Sequence, residues 1–178
     1  MTKFPRAVLS VEADTARSEV SARVAPESIL EITKFLHDAP EALFNHLTDI
    51  CSVDYPEDGD QRFEVVYHLH SLTHRRRLRL KARLSEENPT IASVTSIWKG
   101  AEFLEREVYD MMGITFAGHP DLRRILMPED YAEGFPLRKD FPTEGRGWRS
   151  QFDFIPRLDE APTEVVGSEI PEAQKEAF

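Results

Sequence analysis

Two neighbouring segments of the chain, residues 62–72 and 75–84, alternate between apolar and polar side chains. A period of two places successive side chains on opposite faces, which is typical of a half-buried β-strand. Because only a short link separates the segments, they predict an antiparallel hairpin. A hairpin with one apolar face has to be covered, so this feature indicates a sheet with packed helices. The apolar positions are Phe63, Val65, Tyr67, Leu69, Leu78, Leu80, Ala82 and Leu84.

Further patterns predict two helices and another strand. Pro26 to Leu36 has a proline at its first turn and one broad apolar side, which predicts a helix. A strand is expected from Leu47 to Val53, followed by turn residues at 55–60. A second helix is expected from Gly100 to Met112, with Gly113 as its C-terminal cap. Its apolar stripe would be formed by Leu104, Val108 and Met111, flanked by Phe103 and Met112.

The chain is therefore expected to have an α+β fold, an antiparallel sheet with packed helices, followed by a long extended Pro-rich C-terminal arm. Seven of the twelve prolines follow residue 119, and proline can neither continue a helix nor fill a central strand. We predict a partly loose segment at 1–25, a domain at 26–113, an arm at 114–148 and an acidic tail at 149–178.

Composition excludes several classes of protein. The chain has 178 residues, a formal net charge of −10 and one cysteine, Cys51. A single cysteine forms no internal disulfide and no four-cysteine metal or cluster site, so a reducing compartment and a buried, inert thiol are expected. The absence of a long apolar run excludes a membrane span. The acidic balance argues against a general nucleic-acid binder.

The one cationic stretch, residues 74–99, has seven basic and two acidic residues. Its alternating cations would share one strand face, which predicts either a solvated face balanced by acidic neighbours or a docking surface for protein, lipid or RNA. RNA-binding strands usually add stacking aromatic residues, and this face has none. The cations of this basic face are Arg75, Arg77, Arg79, Lys81 and Arg83.

Other side chains with chemical potential favour structural roles. His68 and His70 have a spacing that suits a metal ion, but no third ligand is marked. The carboxylates of Glu105, Glu107 and Asp110 lie within a turn and a half of one helix, with Arg106 between them. Acid–base catalysis by such a pair needs burial that separates the two pKa values, so a charged helix face or ion-pair network is the simpler interpretation.

The segment EREVYDMMGITFAGHPDLRRILMPEDYAEGFPLRKDFP, residues 105–142, resembles the signature of the 30 kDa subunit of NADH:quinone oxidoreductase, respiratory complex I, which is the (C) subunit of the bacterial complex. Many ordered matches over 38 residues make this resemblance specific. The matching positions include Glu105, Arg106, Glu107, Tyr109, Asp110, Gly113, Gly118, His119, Pro120, Arg123, Arg124, Leu126, Gly134, Pro136, Leu137, Arg138, Lys139 and Asp140.

The resemblance implies a non-catalytic structural subunit of the peripheral arm of the complex. Such a subunit binds no cofactor or metal itself and docks on the 49 kDa (D) subunit, while the complex passes electrons from NADH through FMN and iron–sulfur clusters to quinone and translocates protons. It implies a peripheral location on the cytoplasmic face of the bacterial inner membrane, reached only through the complex, and no nucleic-acid partner.

Several roles follow for the signature residues. We expect Arg123, Arg124, Arg138 and Lys139 to make interface hydrogen bonds, because guanidinium groups suit carboxylates and carbonyls. Glycines 113, 118 and 134 would permit turns closed to other residues. Glu105, Arg106 and Asp110 would lock the helix to the arm, and residues 113–142 would be ordered mainly by partner subunits.

Three alternatives stay open at this point. The chain could be the equivalent subunit of a plastoquinone-reducing, F420H2-oxidising or hydrogenase complex. It could be an autonomous module that binds nucleic acid or anionic lipid through the face from Arg75 to Arg83. A metal-dependent enzyme that uses His68 and His70 is the most distant of the three.

Overall fold

A computed structural model describes residues 4–14 and 19–148. A five-stranded sheet has the order β1-β2-β5-β4-β3, and a separate pair is formed by β6 and β7. Residues up to Trp148 form one compact unit. Short 3₁₀ turns cover Pro26–Ser28 and Pro56–Gln61. The elements are β1 Val8–Asp14, β2 Glu19–Val24, α1 Ile29–Asp38, β3 His46–Asp54, β4 Phe63–Ser71, β5 Arg76–Leu84, β6 Thr90–Ala92, α2 Ala101–Met112 and β7 Thr115–Ala117.

The hairpin predicted from the alternating segments is confirmed. Strands β4 and β5 pair antiparallel over their whole length, from Phe63 opposite Leu84 to Ser71 opposite Arg76. The apolar positions face the core, where Val65, Tyr67 and Ala82 are fully buried. The two helices and the strand β3 also lie where the sequence pattern predicts them.

The sheet is mixed, which corrects the expectation of an antiparallel sheet. Strand β2 pairs parallel with β5, with Val20 opposite Leu78 and Val24 opposite Ala82. Strands β1 and β2 occupy the N-terminal region that was expected to be partly loose. The weak alternation of β1 reflects its position, because β1 is an edge strand whose Leu9 and Val11 are 62% and 43% exposed.

The core lies between one face of the five-stranded sheet and the two helices. Ile29 and Ile32 of α1 and Val108 and Met111 of α2 belong to the same buried cluster as the inward side chains of the sheet. Burial of this apolar surface is the main source of stability for the domain. The two-stranded β6–β7 pair joins the same cluster through Ile91 and Phe116.

Helix α2 buries charge as well as apolar surface. The stripe predicted for α2 is only partly right, because Val108, Met111 and Met112 are buried while Phe103 is 58% exposed. Glu105 and Asp110 have no exposed surface. Gly113 ends the helix in the left-handed conformation with φ of 74°, which glycine adopts without steric cost.

The segment after α2 packs on the domain. Strand β7 pairs parallel with β6, and Ile114, Phe116 and Tyr131 are buried. Beyond β7 the described chain follows turns. The structure therefore differs from the expectation that residues 113–142 depend mainly on partner subunits, because these residues have many contacts within the chain. The predicted acidic tail, 149–178, lies outside the described residues.

Candidate partner interface

Asp110 of α2 anchors the arm by collecting hydrogen bonds from its backbone. Its Oδ2 accepts from the N–H groups of Ile125, Leu126 and Met127 at 3.0, 2.8 and 2.8 Å. Its Oδ1 accepts from the Arg124 guanidinium at 2.6 Å. Burial alone would raise the pKa of Asp110, but the N–H of Met127, the Arg124 guanidinium and the other N–H groups outweigh it and lower the pKa. The carboxylate is thus held ionised inside the protein.

Two arginines complete this junction from opposite directions. Arg106 of α2 donates to the carbonyl oxygens of Arg123 and Arg124 at 3.2 and 3.0 Å. Arg124 returns to α2 through Asp110, and its guanidinium lies 5.4 Å from the centroid of the Tyr131 ring. The predicted lock between helix and arm is therefore confirmed for Arg106 and Asp110. We name this set of contacts, from Arg106, Asp110 and Arg124, the arm clamp.

A second anchor links the later part of the arm to the start of β4. Arg62 donates to both carboxylate oxygens of Asp54, at 2.7 and 2.8 Å. The same guanidinium reaches Glu86 at 2.7 Å and Asp140 at 2.8 Å. Asp54 also accepts from the backbone N–H of Lys139 at 2.7 Å. The hydrogen bond from Arg62 lowers the pKa of Asp54, so this buried pair is ionised and well satisfied.

Arg138 lies between two aromatic rings beside the end of α2. Its guanidinium carbon is 4.8 Å from the ring centroid of Phe63 and 4.5 Å from that of Phe135. Its Nε donates to the carbonyl oxygen of Met112 at 2.7 Å. A Cβ at Gly113 would overlap the Phe135 ring and lie 2.6 Å from Nη2 of Arg138. Gly113 is therefore required both for its positive φ and for this close approach.

Glu133 closes the last turns of the described arm. Its carboxylate accepts from the backbone N–H of Arg146 at 3.0 Å and from that of Trp148. The Tyr131 hydroxyl donates to the same carboxylate at 3.2 Å, and the rings of Tyr131 and Trp148 lie 5.4 Å apart. Sequence reasoning did not single out Glu133, because a lone carboxylate in a polar loop has no distinctive pattern.

The remaining signature residues lie in turns or are at least partly exposed. His119 lies in a turn, where its ring contacts the carbonyl oxygen of Glu102 and accepts from the N–H of Asp121, both at 3.0 Å. Gly118 and Gly134 have φ of 84° and 120°, in agreement with the turns expected of them. Arg123 is exposed and pairs with Asp121 at 2.8 Å. Tyr109 and Pro136 are half-buried, and the exposed members are Glu107, Pro120, Leu126, Leu137, Lys139 and Asp140.

Glu105 contacts the chain before the helix and not the arm, so its predicted locking role is wrong. Its Oε1 accepts from the N–H of Val94 at 2.7 Å. Among the described residues, its Oε2 and the hydroxyl of Tyr67 are buried without a hydrogen-bond partner. Burial raises the pKa of Glu105, and burial together with the Glu105 charge raises that of Tyr67. Glu105 is therefore a buried acid whose charged form is disfavoured by desolvation.

Several apolar side chains are exposed on α2 and the arm. Leu126 and Leu137 are 57% and 58% exposed, Phe103 is 58% exposed and Ile125 is 37% exposed. The backbone at both leucines is hydrogen-bonded to α2. The N–H of Leu126 donates to the Asp110 carboxylate, and the N–H of Leu137 donates to the carbonyl oxygen of Met111. Exposed apolar groups on a fixed backbone are typical of an interaction surface.

The basic face is partly neutralised within the chain. Arg83 pairs with Glu64 at 2.9 Å and with Asp58 at 2.7 Å, and Arg79 pairs with Glu19 at 3.1 Å. The interpretation of a face balanced by acidic neighbours therefore holds for these two arginines. It does not hold for Arg75 and Arg77, which are exposed.

The histidine pair and the cysteine lie on the outer face of the sheet. Cys51 is half-buried, not buried as expected, and its Sγ lies 3.9 Å from Nε2 of His68. The ring of His70 is 6.5 Å from that of His46. In residues 4–14 and 19–148, no group of three or more His, Cys, Asp or Glu side chains is placed to hold a metal ion. None of the described helices is long and apolar enough to cross a membrane.

Sequence reasoning missed the anchor built on Asp54 and Arg62. Asp54 ends a strand and Arg62 precedes the next one, which are ordinary positions for charged residues. The bond from Arg62 to Asp140 spans 78 positions in the sequence, so no local pattern indicates it. The only available signal was the signature around Lys139 and Asp140, which marks the arm but not its partner.

Comparisons with known proteins identify the family of this chain. The family described as respiratory-chain NADH dehydrogenase, 30 Kd subunit, matches residues 22–147. The NADH-quinone oxidoreductase (C) subunit of Roseiflexus sp. (strain RS-1) is 53% identical over 126 residues, which cover 71% of each chain. That of Geobacter metallireducens is 46% identical over 145 residues, covering 82% of this chain and 86% of the relative.

Solved structures show the same fold. A trypsin-resistant fragment (1-134) of Nqo5 matches with a TM-score of 0.55 and 36% identity, over 64% of this chain and 89% of the fragment. A chain of the membrane-bound sulfane sulfur reductase, an archaeal respiratory membrane complex, matches with a TM-score of 0.62 and 23% identity, over 92% of both chains. The match at this lower identity concerns the fold alone. From the family match and the two NADH-quinone oxidoreductase relatives, this chain belongs to the 30 kDa subunit family of respiratory-chain NADH dehydrogenase.

Proposed function

We propose that this chain is a non-catalytic, cofactor-free structural subunit of the peripheral arm of complex I, and that it docks on the 49 kDa (D) subunit. The complex would carry electrons from NADH through FMN and iron–sulfur clusters to quinone and couple this transfer to proton translocation. The names of the relatives support membership of an NADH-quinone oxidoreductase. The chain would lie on the cytoplasmic face of the inner membrane and reach the membrane only through the complex.

The observation that carries the proposed docking is the exposed apolar surface of an arm that is fixed by polar contacts. Leu126 and Leu137 are more than half exposed, yet the backbone of Leu126 is bonded to the buried Asp110. A segment that is already ordered loses little conformational entropy when a partner covers it. Burial of the exposed parts of the two leucines, a little more than half of each, would then contribute about 2–3 kcal/mol to docking.

The arm clamp has a supporting role in this proposal. The hydrogen bonds of its three residues, Arg106, Asp110 and Arg124, are made within the chain. The clamp would therefore hold the arm in shape for docking without contacting the partner. Arg123 is exposed and is the arginine of the signature best placed for a direct contact. The interface hydrogen bonds expected from the signature are therefore proposed for Arg123 and for the exposed Lys139.

A double substitution tests the docking surface. Leu126→Asp/Leu137→Asp would bury two carboxylates against the 49 kDa subunit, and we expect at least about a tenfold loss of co-purification because uncompensated buried charge is costly. The matched control is Leu9→Asp/Leu30→Asp, which changes two exposed leucines outside the arm. Recovery of the 49 kDa subunit and NADH:quinone activity of solubilised membranes are the two measurements. Equal recovery with both double variants would contradict docking through the arm.

The electron donor separates complex I from the related machines. A purified complex that contains this chain and oxidises NADH supports the proposal. Oxidation of F420H2 or hydrogen instead would assign the chain to the equivalent subunit of a related complex. Reduction of plastoquinone with an electron donor other than NADH, F420H2 or hydrogen would also assign the chain to a related complex.

A further inference from the structure

Exposed positive charge is concentrated at one end of the β4–β5 hairpin. Arg75, Arg76 and Arg77 are exposed and form no ion pair among the residues that the structure describes. Arg79 and Arg83, further along β5, are neutralised by carboxylates. A chain with a net charge of −10 therefore presents a compact cationic site at residues 72–77, which we name the hairpin end.

The hairpin end is held by contacts with the neighbouring loop. The N–H of Leu72 donates to Oδ1 of Asn45 at 3.2 Å, and the ring Nε2 of His74 lies 2.9 Å from the carbonyl oxygen of Pro40. The N–H of His74 also donates to Oγ of Ser71 at 3.3 Å. Arg75 adopts a φ of +52°, which is uncommon for a residue other than glycine. The cations are thus displayed by a turn whose backbone is already ordered.

An apolar surface adjoins these cations. An open cleft of about 680 Å³ is lined by Val20, Phe44 and Leu78 together with the three arginines and His70. Val20 is 38% exposed and Leu72, at the turn itself, is 57% exposed. A ligand for this surface has to combine negative charge with an apolar group.

We propose that the hairpin end binds an acidic segment of another subunit of the complex, in which carboxylates flank an apolar side chain. The guanidinium groups would pair with the carboxylates and the apolar side chain would enter the cleft beside Phe44. This inference rests on the proposed function, because it places the partner in the same complex. The hairpin end is a second surface, since the Phe63 end of β4 joins the arm and Ser71 lies about 27 Å further along the strand.

Charge favours a protein partner over a membrane or RNA. An anionic bilayer or a nucleic acid would meet the field of the whole chain, whose net charge of −10 is repulsive. A short acidic segment meets only the local field within about 10 Å at moderate ionic strength. The outward side chains of β5 are cationic rather than aromatic, so the strand itself offers bases no ring to stack on.

The test uses the intact complex isolated from membranes, with Leu72 of this chain replaced by the photo-cross-linker p-benzoylphenylalanine. We expect irradiation to link position 72 to a segment of a partner subunit that is rich in Asp and Glu. The variant Arg75→Glu/Arg76→Glu/Arg77→Glu should lower the yield about tenfold, because exposed ion pairs each contribute a factor of a few. The matched control Arg6→Glu/Lys34→Glu/Lys99→Glu, which removes the same number of exposed cations, should leave the yield unchanged.

Each other outcome has a defined meaning. A cross-link only to lipid, to RNA or to a partner segment without acidic residues overturns the inference, as do equal yields from the two triple variants. Thermal unfolding followed by the fluorescence of buried Trp98 verifies that both variants are folded, and Arg75→Gln/Arg76→Gln/Arg77→Gln provides a milder change. If the unaltered chain is in the complex but this test fails, only the inference fails. If the chain is absent from the complex, the proposed function fails with it.

Discussion

The sheet domain and the arm of this protein are stabilised by different forces. In the domain, side chains such as Tyr67, Leu80 and Ile29 are almost completely buried in one apolar cluster. At its start the arm joins this cluster through Ile114 and Phe116. Beyond β7, directional bonds to two buried carboxylates, Asp54 and Asp110, fix the arm to the domain. An apolar core tolerates moderate changes of side-chain shape, whereas a buried carboxylate requires each of its donors in place.

This difference accounts for most of the buried charges in the described part of the chain. Asp54, Arg62, Arg106 and Asp110 are buried and contact the arm. The other two buried charges, Glu64 and Glu105, bond within the domain. A segment rich in proline and glycine cannot form a core of its own, so hydrogen bonds to its free backbone groups are the available means of fixing it. The arm is therefore expected to detach from the domain before the domain unfolds. The two tryptophans allow this to be measured, since Trp98 lies in the core and Trp148 at the end of the described arm.

The largest effect is expected for Asp110→Ala. The substitution leaves three backbone N–H groups and Arg124 without their acceptor, and loss of one partner of a buried charged pair costs about 3–5 kcal/mol. Urea unfolding should show a large shift of the transition reported by Trp148 in a Trp98→Phe background. The transition reported by Trp98 in a Trp148→Phe background should shift less. Asp110→Asn, which keeps one acceptor oxygen, should give a smaller loss, and equal shifts of both reporters would refute the separation of arm and domain.

The core counterpart is Leu80→Ala. Leu80 lies on the central strand β5 and is 1% exposed, so its truncation should lower the free energy of unfolding by about 2–5 kcal/mol. Because the arm is bonded to the domain, both tryptophan reporters should shift together. Leu72→Ala, at a position 57% exposed, is the control and should change stability by less than about 0.5 kcal/mol. A shift confined to Trp98 would show that the arm does not depend on the core.

A smaller effect is expected where the two regions meet at Gly113. Gly113→Ala should destabilise the arm by about 1–3 kcal/mol, because the new methyl group combines an unfavourable φ with overlap of the Phe135 ring. Gly118→Ala is the matched control, since its φ is 84° and no atom lies within 4 Å of the added Cβ. The stability of the arm in both variants is measured by urea unfolding and by the rate of trypsin cleavage after Arg123 and Arg124. If Gly118→Ala proves as harmful as Gly113→Ala, the close approach of Phe135 is not important.

The smallest effect, and one of opposite sign, is expected for Glu105→Gln. The pKa of Glu105 is raised in the folded protein, so the folded state binds more protons than the unfolded state between the unfolded pKa, about 4.3, and the folded value. Stability therefore falls as the pH rises through this window. Glutamine keeps an oxygen for the N–H of Val94 and removes the buried charge, so it should raise the free energy of unfolding at neutral pH.

The measurement is the urea midpoint of the unaltered protein and of Glu105→Gln at two pH values. About pH 4 lies below the ordinary pKa of a glutamate, and about pH 8 lies well above it. The gain should shrink toward the acid side, because Glu105 is then protonated and neutral. Glu102→Gln, a change at a more exposed position of the same helix, is the control for net charge. An equal gain at both pH values would show that ionisation of Glu105 is not the cause.

The predictions from sequence succeeded where the pattern is local. The alternation at 62–84 predicted the hairpin, and the apolar periodicity with Gly113 predicted α2 and its end. The role of Arg106 and Asp110 was predicted because both lie in the signature beside the arm. Strand β1 was missed, since an edge strand that exposes Leu9 and Val11 has little alternation. Strand β2 does alternate, with Val20, Ala22 and Val24 on one face, but it is only six residues long.

The sequence by itself determined the periodic elements, the turns that require glycine and the family to which the chain belongs. Only the tertiary structure decided that β2 runs parallel to β5, that Glu105 faces the core and that Arg62 joins Asp54 to Asp140. The physical reason is the distance along the sequence over which each interaction acts. Backbone sterics and apolar periodicity act over a few residues, whereas the pairing of a buried charge depends on which distant segments share the same desolvated space.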